Sequence, residues 1–131
     1  MPISTYSIQQ IFGHRDLRNA LYVVRDDQKA VVYVGMARVQ CVADRMARHI
    51  GNVFTKDSPS QFSALLLRNH PQYFSWTVEL YTLQEARQSV GAQYDCLPCA
   101  ERGLFDFFTT LQGQNPSGNK RRPSHGCEHA A

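Results

Sequence analysis

The sequence predicts a small layered α/β (α+β) domain, with a three-stranded, mainly antiparallel sheet flanked by helices. Two runs of β-branched and aromatic residues flank a polar segment, and a third run alternates apolar with polar residues. Elsewhere, apolar residues recur every three or four positions, which is typical of amphipathic helices. The 131 residues, 43% of them hydrophobic, supply one core and leave too little chain for two ordinary domains.

Three strands are predicted, and the first two lie close together in the chain. Residues 21–24 and 30–34 are the two apolar runs, and the polar residues 25–29 between them have the composition of a hairpin loop. Gly35 is expected to end the second strand. Residues 76–81 alternate at period two and predict a third strand later in the chain.

The first predicted helix follows the hairpin. Val42, Met46 and Ile50 recur at intervals of four residues, so they would form one buried side of a helix. Gly51 comes directly after Ile50 and is expected to close this helix as a C-terminal glycine.

Three more helices are predicted. Residues 58–59 offer a serine cap and a proline in the first turn, and residues 69–71 should stop that helix. Residues 84–90 predict a short helix ended by Gly91, and residues 98–111 predict a longer one. The apolar residues expected on the buried sides are Phe62, Leu65, Leu66, Leu104, Phe108 and Leu111.

The charge is unevenly distributed along the chain. Fourteen Lys and Arg against eleven Asp and Glu give a net charge of +3. Residues 36–56 carry +3, residues 57–119 carry −3, and residues 120–131 carry +2. Eleven of the fourteen cations are Arg, whose planar fork suits bidentate contact with phosphate. The net charge alone neither requires nor excludes an acidic partner such as nucleic acid, but the arginines make contact with phosphate worth testing.

The amino-acid sequence excludes several classes of protein. No run approaches the roughly 18 apolar residues of a membrane span, and residues 1–4 have no signal-peptide character. We expect a cytoplasmic protein that does not contact a membrane. The domain organisation predicted is an N-terminal extension over 1–19, a folded body over 20–119 and a basic flexible tail over 120–131.

Three features of the body suit the hydrolysis of a phosphodiester bond. Glu101 is a carboxylate near the apolar side of the long helix, Arg45 lies on the helix after the hairpin, and Tyr22 and Tyr33 lie on the two hairpin strands. The reaction requires a Lewis acid at the phosphate oxygens, a cation for the developing charge and a proton acceptor for water.

These residues belong to a series of short motifs that resembles the GIY-YIG nuclease superfamily. The resemblance spans roughly residues 20–119. The motifs, in chain order, are Ala-Leu-Tyr at 20–22, Tyr-Val-Gly at 33–35, Met-Ala-Arg at 36–38, the pair Arg45 and His49, Glu101, and Pro-x-x-Asn at 116–119. A fold of the GIY-YIG type is therefore expected.

The resemblance implies a role for each of the main residues. Tyr22 and Tyr33 would lie side by side, with their phenols reaching the attacking water or the scissile phosphate. Arg45 would neutralise the pentavalent phosphorane, and Glu101 would hold one Mg²⁺ or Mn²⁺. His49, which is four residues from Arg45 and so on the same helix face, would assist at the phosphate or in proton transfer.

The remaining implied residues brace the site or contact nucleic acid. Asn119 would brace the site. Asn115 is a rival for this role, because more residues separate Glu101 from Asn119 than is usual in the family. The residues expected to contact nucleic acid are Gly35, Arg38, Arg48, Lys120, Arg121 and Arg122, although the arginines at 38 and 48 are equally well explained as surface charges.

The cysteines raise a separate alternative. Cys96 and Cys99 form a Cys-x-x-Cys pair, and residues 125–129 contain His125, Cys127 and His129. Two Cys together with further Cys or His residues form a ligand set that tetrahedral Zn²⁺ prefers. The spacing here is loose, and ordinary reduced thiols explain the cysteines as well.

The sequence thus predicts a metal-dependent endonuclease that cuts DNA by one-step hydrolysis, leaving 3′-hydroxyl and 5′-phosphate ends. The alternatives are a catalytically inactive nucleic-acid-binding module of the same fold and a zinc-stabilised interaction domain. DNA is the expected partner, and RNA is to be tested beside it. A homodimer, an inhibitor or a targeting protein is a further expected partner, because no separate DNA-reading module is recognisable.

Overall fold

The computed structural model describes residues 4–55, 60–119 and 122–123, with only the backbone described for residues 52–55. The strands are β1 (Ser4–Ser7), β2 (Ala20–Arg25), β3 (Val31–Ala37) and β4 (Thr77–Tyr81). The helices are α1 (Ile8–Ile11), α2 (Val42–Thr55), α3 (Gln61–Arg68), α4 (Leu83–Val90) and α5 (Leu97–Gln112), and a 3₁₀ turn covers Gln72–Ser75.

The sheet has four strands in the order β1-β4-β2-β3, and every neighbouring pair is antiparallel. The predicted mixture of helices and an antiparallel sheet is confirmed, but the predicted number of three strands was wrong. The missed strand is β1, in which Tyr6 pairs with Val78. Residues 4–11, which were expected to belong to an N-terminal extension, supply both this strand and helix α1.

The hairpin of β2 and β3 is confirmed. Asp26 organises its loop, because its Oδ1 accepts hydrogen bonds from the backbone N–H groups of Gln28 (2.9 Å) and Ala30 (3.0 Å). The prediction that Gly35 ends the second strand was wrong, since β3 continues to Ala37. In the register of the pair, Tyr22 lies opposite Gly35.

Helices cover both faces of the sheet. One core cluster joins β2 and β4 to α1, α2 and α3, and its central residues are Ile8, Ile11, Tyr22, Val24, Met46, Phe62, Leu66 and Val78. The other cluster joins β2 and β3 to α4 and α5, and its central residues are Leu21, Val23, Val34, Ala86, Leu104 and Phe108. Strand β2 is therefore buried on both faces, which explains its continuous apolar run.

The predicted end of one helix was wrong, and the predicted start of the next lies outside the described residues. Helix α2 continues through Gly51 to Thr55. A Cβ at Gly51 would meet nothing within 4 Å, so this glycine costs the helix only its weak propensity, about 1 kcal/mol. Helix α3 is capped by Ser60, whose Oγ accepts from the N–H of Ser63 (3.1 Å). The cap predicted at residues 58–59 lies outside the described residues.

The other helix predictions are confirmed. Helix α3 ends at Arg68, before residues 69–71. Helix α4 begins at a capping box in which Thr82 and Glu85 bond each other's backbone N–H, and it ends at Gly91 with φ of 135°. Helix α5 covers the predicted segment with one more residue at each end. Within the described ranges, no helix combines the length and apolarity needed to cross a membrane.

The chain after α5 covers the outer edge of strand β3. The side-chain amide of Gln112 donates to the carbonyl of Val31 and accepts from its N–H, both at 3.0 Å. Asn119 does the same at Val34, accepting at 2.9 Å and donating at 3.1 Å. These side chains satisfy backbone groups that an edge strand would otherwise expose. They also fix residues 112–119 beside the strand that carries Tyr33.

Candidate active site

A pocket of about 350 Å³ opens beside the covered edge of β3. The pocket is lined by Tyr33 from β3, His49 from α2, Glu101 from α5 and Asn119. Asn119 belongs to residues 113–119, which follow α5 and are called the closing segment. Phe62 from α3 lines the same pocket. Four of the six residues predicted to be catalytic therefore meet at one cavity, although they come from four separate segments of the chain.

The two predicted tyrosines lie side by side. Tyr22 is fully buried, and the centroid of its ring lies 5.9 Å from that of Tyr33. Tyr33 stacks on Phe62, with ring centroids 4.1 Å apart and ring planes 11° from parallel. The Tyr33 ring thus contacts both its hairpin neighbour and helix α3, and the residue lines the pocket.

Gly35 is required by the position of Tyr22. A Cβ built on Gly35 would lie 2.4 Å from Cζ and 2.6 Å from the phenol oxygen of Tyr22, and 2.7 Å from Cε2 of Tyr33. These distances are far inside van der Waals contact, so both rings occupy the space of the missing side chain. The glycine of the Tyr-Val-Gly motif is therefore explained by the packing of the tyrosine pair.

His49 contacts both tyrosines. Its Nε2 lies 3.3 Å from the Tyr22 hydroxyl, and its ring packs edge-on against Tyr33 with centroids 5.2 Å apart. Burial, followed by the charges of Arg45 and Arg48, lowers the pKa of His49 from 6.5 to about 4. His49 is therefore neutral near pH 7 and keeps one ring nitrogen able to accept a proton.

Both phenols stay protonated near neutral pH. Burial, and then the neighbouring Tyr33, raises the pKa of Tyr22 well above its ordinary value of 10, although Arg45 opposes the shift. Burial also raises the pKa of Tyr33, again with Arg45 acting in the opposite direction. The tyrosines can therefore donate hydrogen bonds and relay protons, but neither provides a resident phenolate.

Arg45 lies one turn before His49 on α2 and brings positive charge to the pocket. Its charge interacts with Tyr22, Tyr33 and Glu101. Its Nε is buried, and among the residues the structure describes it has no hydrogen-bond partner. Arg45 does not itself line the pocket, but its charge acts on Tyr33 and Glu101, which do. A half-buried guanidinium with an unsatisfied donor is suited to an anionic ligand.

Glu101 is the carboxylate of the site. Burial raises its pKa from 4.5 to about 7, and Arg45 only partly opposes the shift. The carboxylate therefore lacks compensation for its charge, which a bound cation would supply. Within the described ranges no three His, Cys, Asp or Glu side chains cluster. A carboxylate oxygen such as that of Glu101 is the kind of ligand that Mg²⁺ and Mn²⁺ prefer, and Mg²⁺ in particular retains several waters.

The structure distinguishes the two asparagines. Asn119 lines the pocket and holds the edge of β3 through its two hydrogen bonds to Val34. Asn115 is exposed to solvent on the preceding turn. Asn119 is therefore the residue in a position to brace the site.

The predicted nucleic-acid contacts lie in different places. Arg38 and Arg48 are exposed, whereas Gly35 is buried beneath Tyr22. Arg122 lines the pocket and forms an ion pair with Asp106. Lys120 and Arg121 lie outside the described residues.

Two of the five candidate zinc ligands lie among the described residues. Cys96 is buried at the cap of α5, and Cys99 is partly exposed on the first turn of that helix. His125, Cys127 and His129 lie outside the described residues. The zinc prediction stays a prediction.

Phe62 and Gln61 are pocket residues that the sequence did not indicate. Phe62 was predicted only as core, yet it packs edge-on against His49 with centroids 4.9 Å apart. Gln61 donates from Nε2 to the carbonyl of Ser117 at 2.6 Å and joins α3 to the closing segment. Helical spacing places Phe62 on the buried side, but it carries no signal that this side faces the pocket.

Comparisons with known proteins leave the site unassigned. No protein-family model, curated protein or solved structure matches this chain. The function is therefore inferred from the residues of the pocket.

Proposed function

We propose that this protein is a Mg²⁺- or Mn²⁺-dependent endonuclease with a fold of the GIY-YIG type, which hydrolyses phosphodiester bonds in DNA. One observation supports this most strongly. A carboxylate whose pKa is raised to about 7, a neutral histidine and a tyrosine line one pocket, and the charge of Arg45 reaches this carboxylate and tyrosine. These are the groups that phosphodiester hydrolysis requires.

Arg45 is proposed to bind the scissile phosphate. Its guanidinium remains charged at every relevant pH and forms two parallel hydrogen bonds to phosphate oxygens. Its location on the same helix face as His49 means that a phosphate at Arg45 also lies near the His49 ring. The Arg45 guanidinium would then stabilise the negative charge that develops on the phosphate in the transition state.

His49 is proposed to accept the proton of the attacking water, and Tyr22 to hold the imidazole in place. His49 lines the pocket, and the buried Tyr22 hydroxyl lies 3.3 Å from its Nε2. Arg45 and Arg48 help to keep the pKa of His49 low in the free protein. A bound phosphate would offset these charges and raise the basicity of His49 when substrate is present.

Glu101 is proposed to hold the divalent cation, and Asn119 to keep the pocket wall in place. The cation would supply Lewis-acid stabilisation of the phosphate oxygens. In the reaction, the water oxygen bonds to phosphorus and the P–O3′ bond breaks. The products are a 3′-hydroxyl, which takes a proton from solvent, and a 5′-phosphate.

The features of Glu101 favour an enzyme over a binding module that has lost its activity. A buried carboxylate repels the phosphates of nucleic acid, so a module that only binds would gain from a neutral residue at this position. Burial also makes the charge of Glu101 costly to the fold. The charge of Glu101 would be offset by a cation held there, and the site would then attract the phosphate rather than repel it.

The test is incubation of supercoiled plasmid with the purified protein in Mg²⁺, Mn²⁺ or EDTA, with a parallel arm of structured RNA. We expect nicked and then linear DNA with either metal and none in EDTA. End labelling should show 5′-phosphate and 3′-hydroxyl termini. Intact plasmid under both metal conditions, with protein that is folded, would refute the proposed activity.

A further inference from the structure

A second pocket adjoins the candidate active site. It has a volume of about 300 Å³ and is lined by Arg102, Arg122, Tyr94, Cys99 and Gln93. We call it the Arg102–Arg122 pocket. Arg122 also lines the first pocket, and Arg102 directly follows Glu101 in α5. The two pockets are therefore neighbours, with one arginine on their common boundary.

Arg122 is held in a fixed orientation at this boundary. Its Nε donates to Oδ1 of Asp106 at 2.7 Å, and its Nη2 pairs with Oδ2 of the same carboxylate. This fork contact uses one N–H on each of two nitrogens, while a guanidinium has five N–H donors. Asp106 thus positions the arginine and still leaves it able to donate to a second anion.

Arg102 supplies the other cation. It is partly buried in α5, and within the described part of the chain its Nε has no hydrogen-bond partner. The wall beside it is well packed, because a Cβ at Gly103 would lie 3.1 Å from the ring of Tyr94. Two arginines held by their surroundings around one cavity are suited to a phosphate rather than to an apolar ligand.

We propose that the Arg102–Arg122 pocket binds the backbone phosphate next to the scissile one in the nucleic-acid strand that is cut. This inference rests on the proposed nuclease function. Two adjacent pockets that share Arg122 would hold two consecutive parts of one strand. The second contact fixes the strand along α5 and thereby sets which bond faces Glu101. Arg102 and Arg122 are positioning residues for the substrate.

The first test measures DNA binding without cleavage. A fluorescent oligonucleotide that contains the cleavage site is titrated in EDTA with wild-type protein, Arg102→Gln, Arg122→Ala and the control Arg68→Ala. Arg68 is exposed in the last turn of α3 and lines neither pocket. We expect roughly tenfold weaker binding for each pocket variant, a salt dependence reduced by about one unit of slope, and a change within about twofold for the control.

The second test locates the phosphate. Each phosphate around the cleavage site is replaced in turn by a neutral methylphosphonate. One replacement beside the cleaved bond should weaken wild-type binding and leave the binding of Arg102→Gln unchanged. The subsite is refuted if both pocket variants bind like Arg68→Ala while the wild type cuts DNA normally. A wild-type protein that neither binds nor cuts nucleic acid would instead refute the proposed function and the subsite together.

Because Arg122 is exposed, its replacement should leave the fold intact even if Arg102→Gln proves unstable. Thermal unfolding of both variants shows whether Arg102→Gln is destabilised. Unchanged binding by a folded Arg122→Ala protein is then sufficient to overturn the proposal.

Discussion

Replacing Glu101 with Gln should stabilise the metal-free protein while it abolishes activity. The change keeps the shape of the side chain and removes a charge that burial opposes. A rise of the pKa from 4.5 in the unfolded chain to about 7 in the folded protein corresponds to roughly 3 kcal/mol of lost stability once the group is ionised in both states. Below pH 4.5 this penalty is absent, and it grows as the pH rises through 7.

The assay is urea or thermal unfolding of wild type and Glu101→Gln in EDTA across this pH range. The variant should be more stable by about 1 kcal/mol at pH 5 and by about 3 kcal/mol at pH 8, the latter equal to roughly 10 °C in Tm. His49 titrates in both proteins, so its effect cancels in the difference. Added Mg²⁺ should stabilise the wild type at pH 8 and leave the variant unchanged.

Two results would contradict this reasoning. Equal stability of the two proteins at pH 8 would show that the ionised carboxylate of Glu101 is well compensated in the free protein. Equal stabilisation of both proteins by Mg²⁺ would show that the cation binds elsewhere.

Three further variants test other parts of the site. Gly35→Ala should displace the Tyr22 phenol, lowering stability by about 1–3 kcal/mol and reducing kcat; unchanged Tm and kcat would refute the packing argument. Asn119→Ala removes both bonds to Val34 and should cost about 1–3 kcal/mol in urea unfolding, whereas a loss below about 0.5 kcal/mol would show that the edge is held otherwise. Because the pKa of folded His49 is lowered to about 4, the stability of wild type relative to His49→Gln should fall as the pH drops from 6.5 to 4, and the titration of Glu101 cancels in this difference; parallel curves would contradict the shift.

The elements that the sequence predicted well are those with local signals. The hairpin loop is closed by Asp26 within five residues, and α4 has its own capping box and terminal glycine. The alternation of β4 follows from its contact with apolar core on one face. In each case the stabilising contacts join residues that are close together in the chain, so residue composition and spacing can predict them.

The missed features depend on contacts between distant segments. Three of the four residues of β1 are Ser or Thr, and the strand pairs with β4, whose partner residues lie 70 to 76 positions later, so its own residues carry no clear pattern. Gly51 looked like a helix end, but α2 tolerates it on an exposed side. The covering of the β3 edge by Gln112 is likewise invisible in the sequence, because the amide contacts a backbone 81 residues away.

The candidate site divides in the same way. Helical spacing and the family resemblance led to Arg45, His49 and Glu101 as partners. The distances, the buried charge of Glu101 and the stacking of Phe62 on Tyr33 required the folded chain. The Arg102–Arg122 pocket also required it, since its two arginines are separated by the turn that closes the edge of β3.

The most direct measurement of the proposed chemistry is the single-turnover rate of DNA cleavage by wild type and Glu101→Gln, at saturating protein and Mg²⁺. The affinity of each protein for the same DNA is measured in EDTA, where no cation is bound at Glu101. We predict that in EDTA the variant binds DNA at least as tightly, because a negative charge is lost, and that in Mg²⁺ it cuts DNA at least about 100-fold more slowly, as expected for a lost contribution to transition-state stabilisation. A Glu101→Gln protein that cuts at the wild-type rate would contradict the assignment of this pocket as the active site.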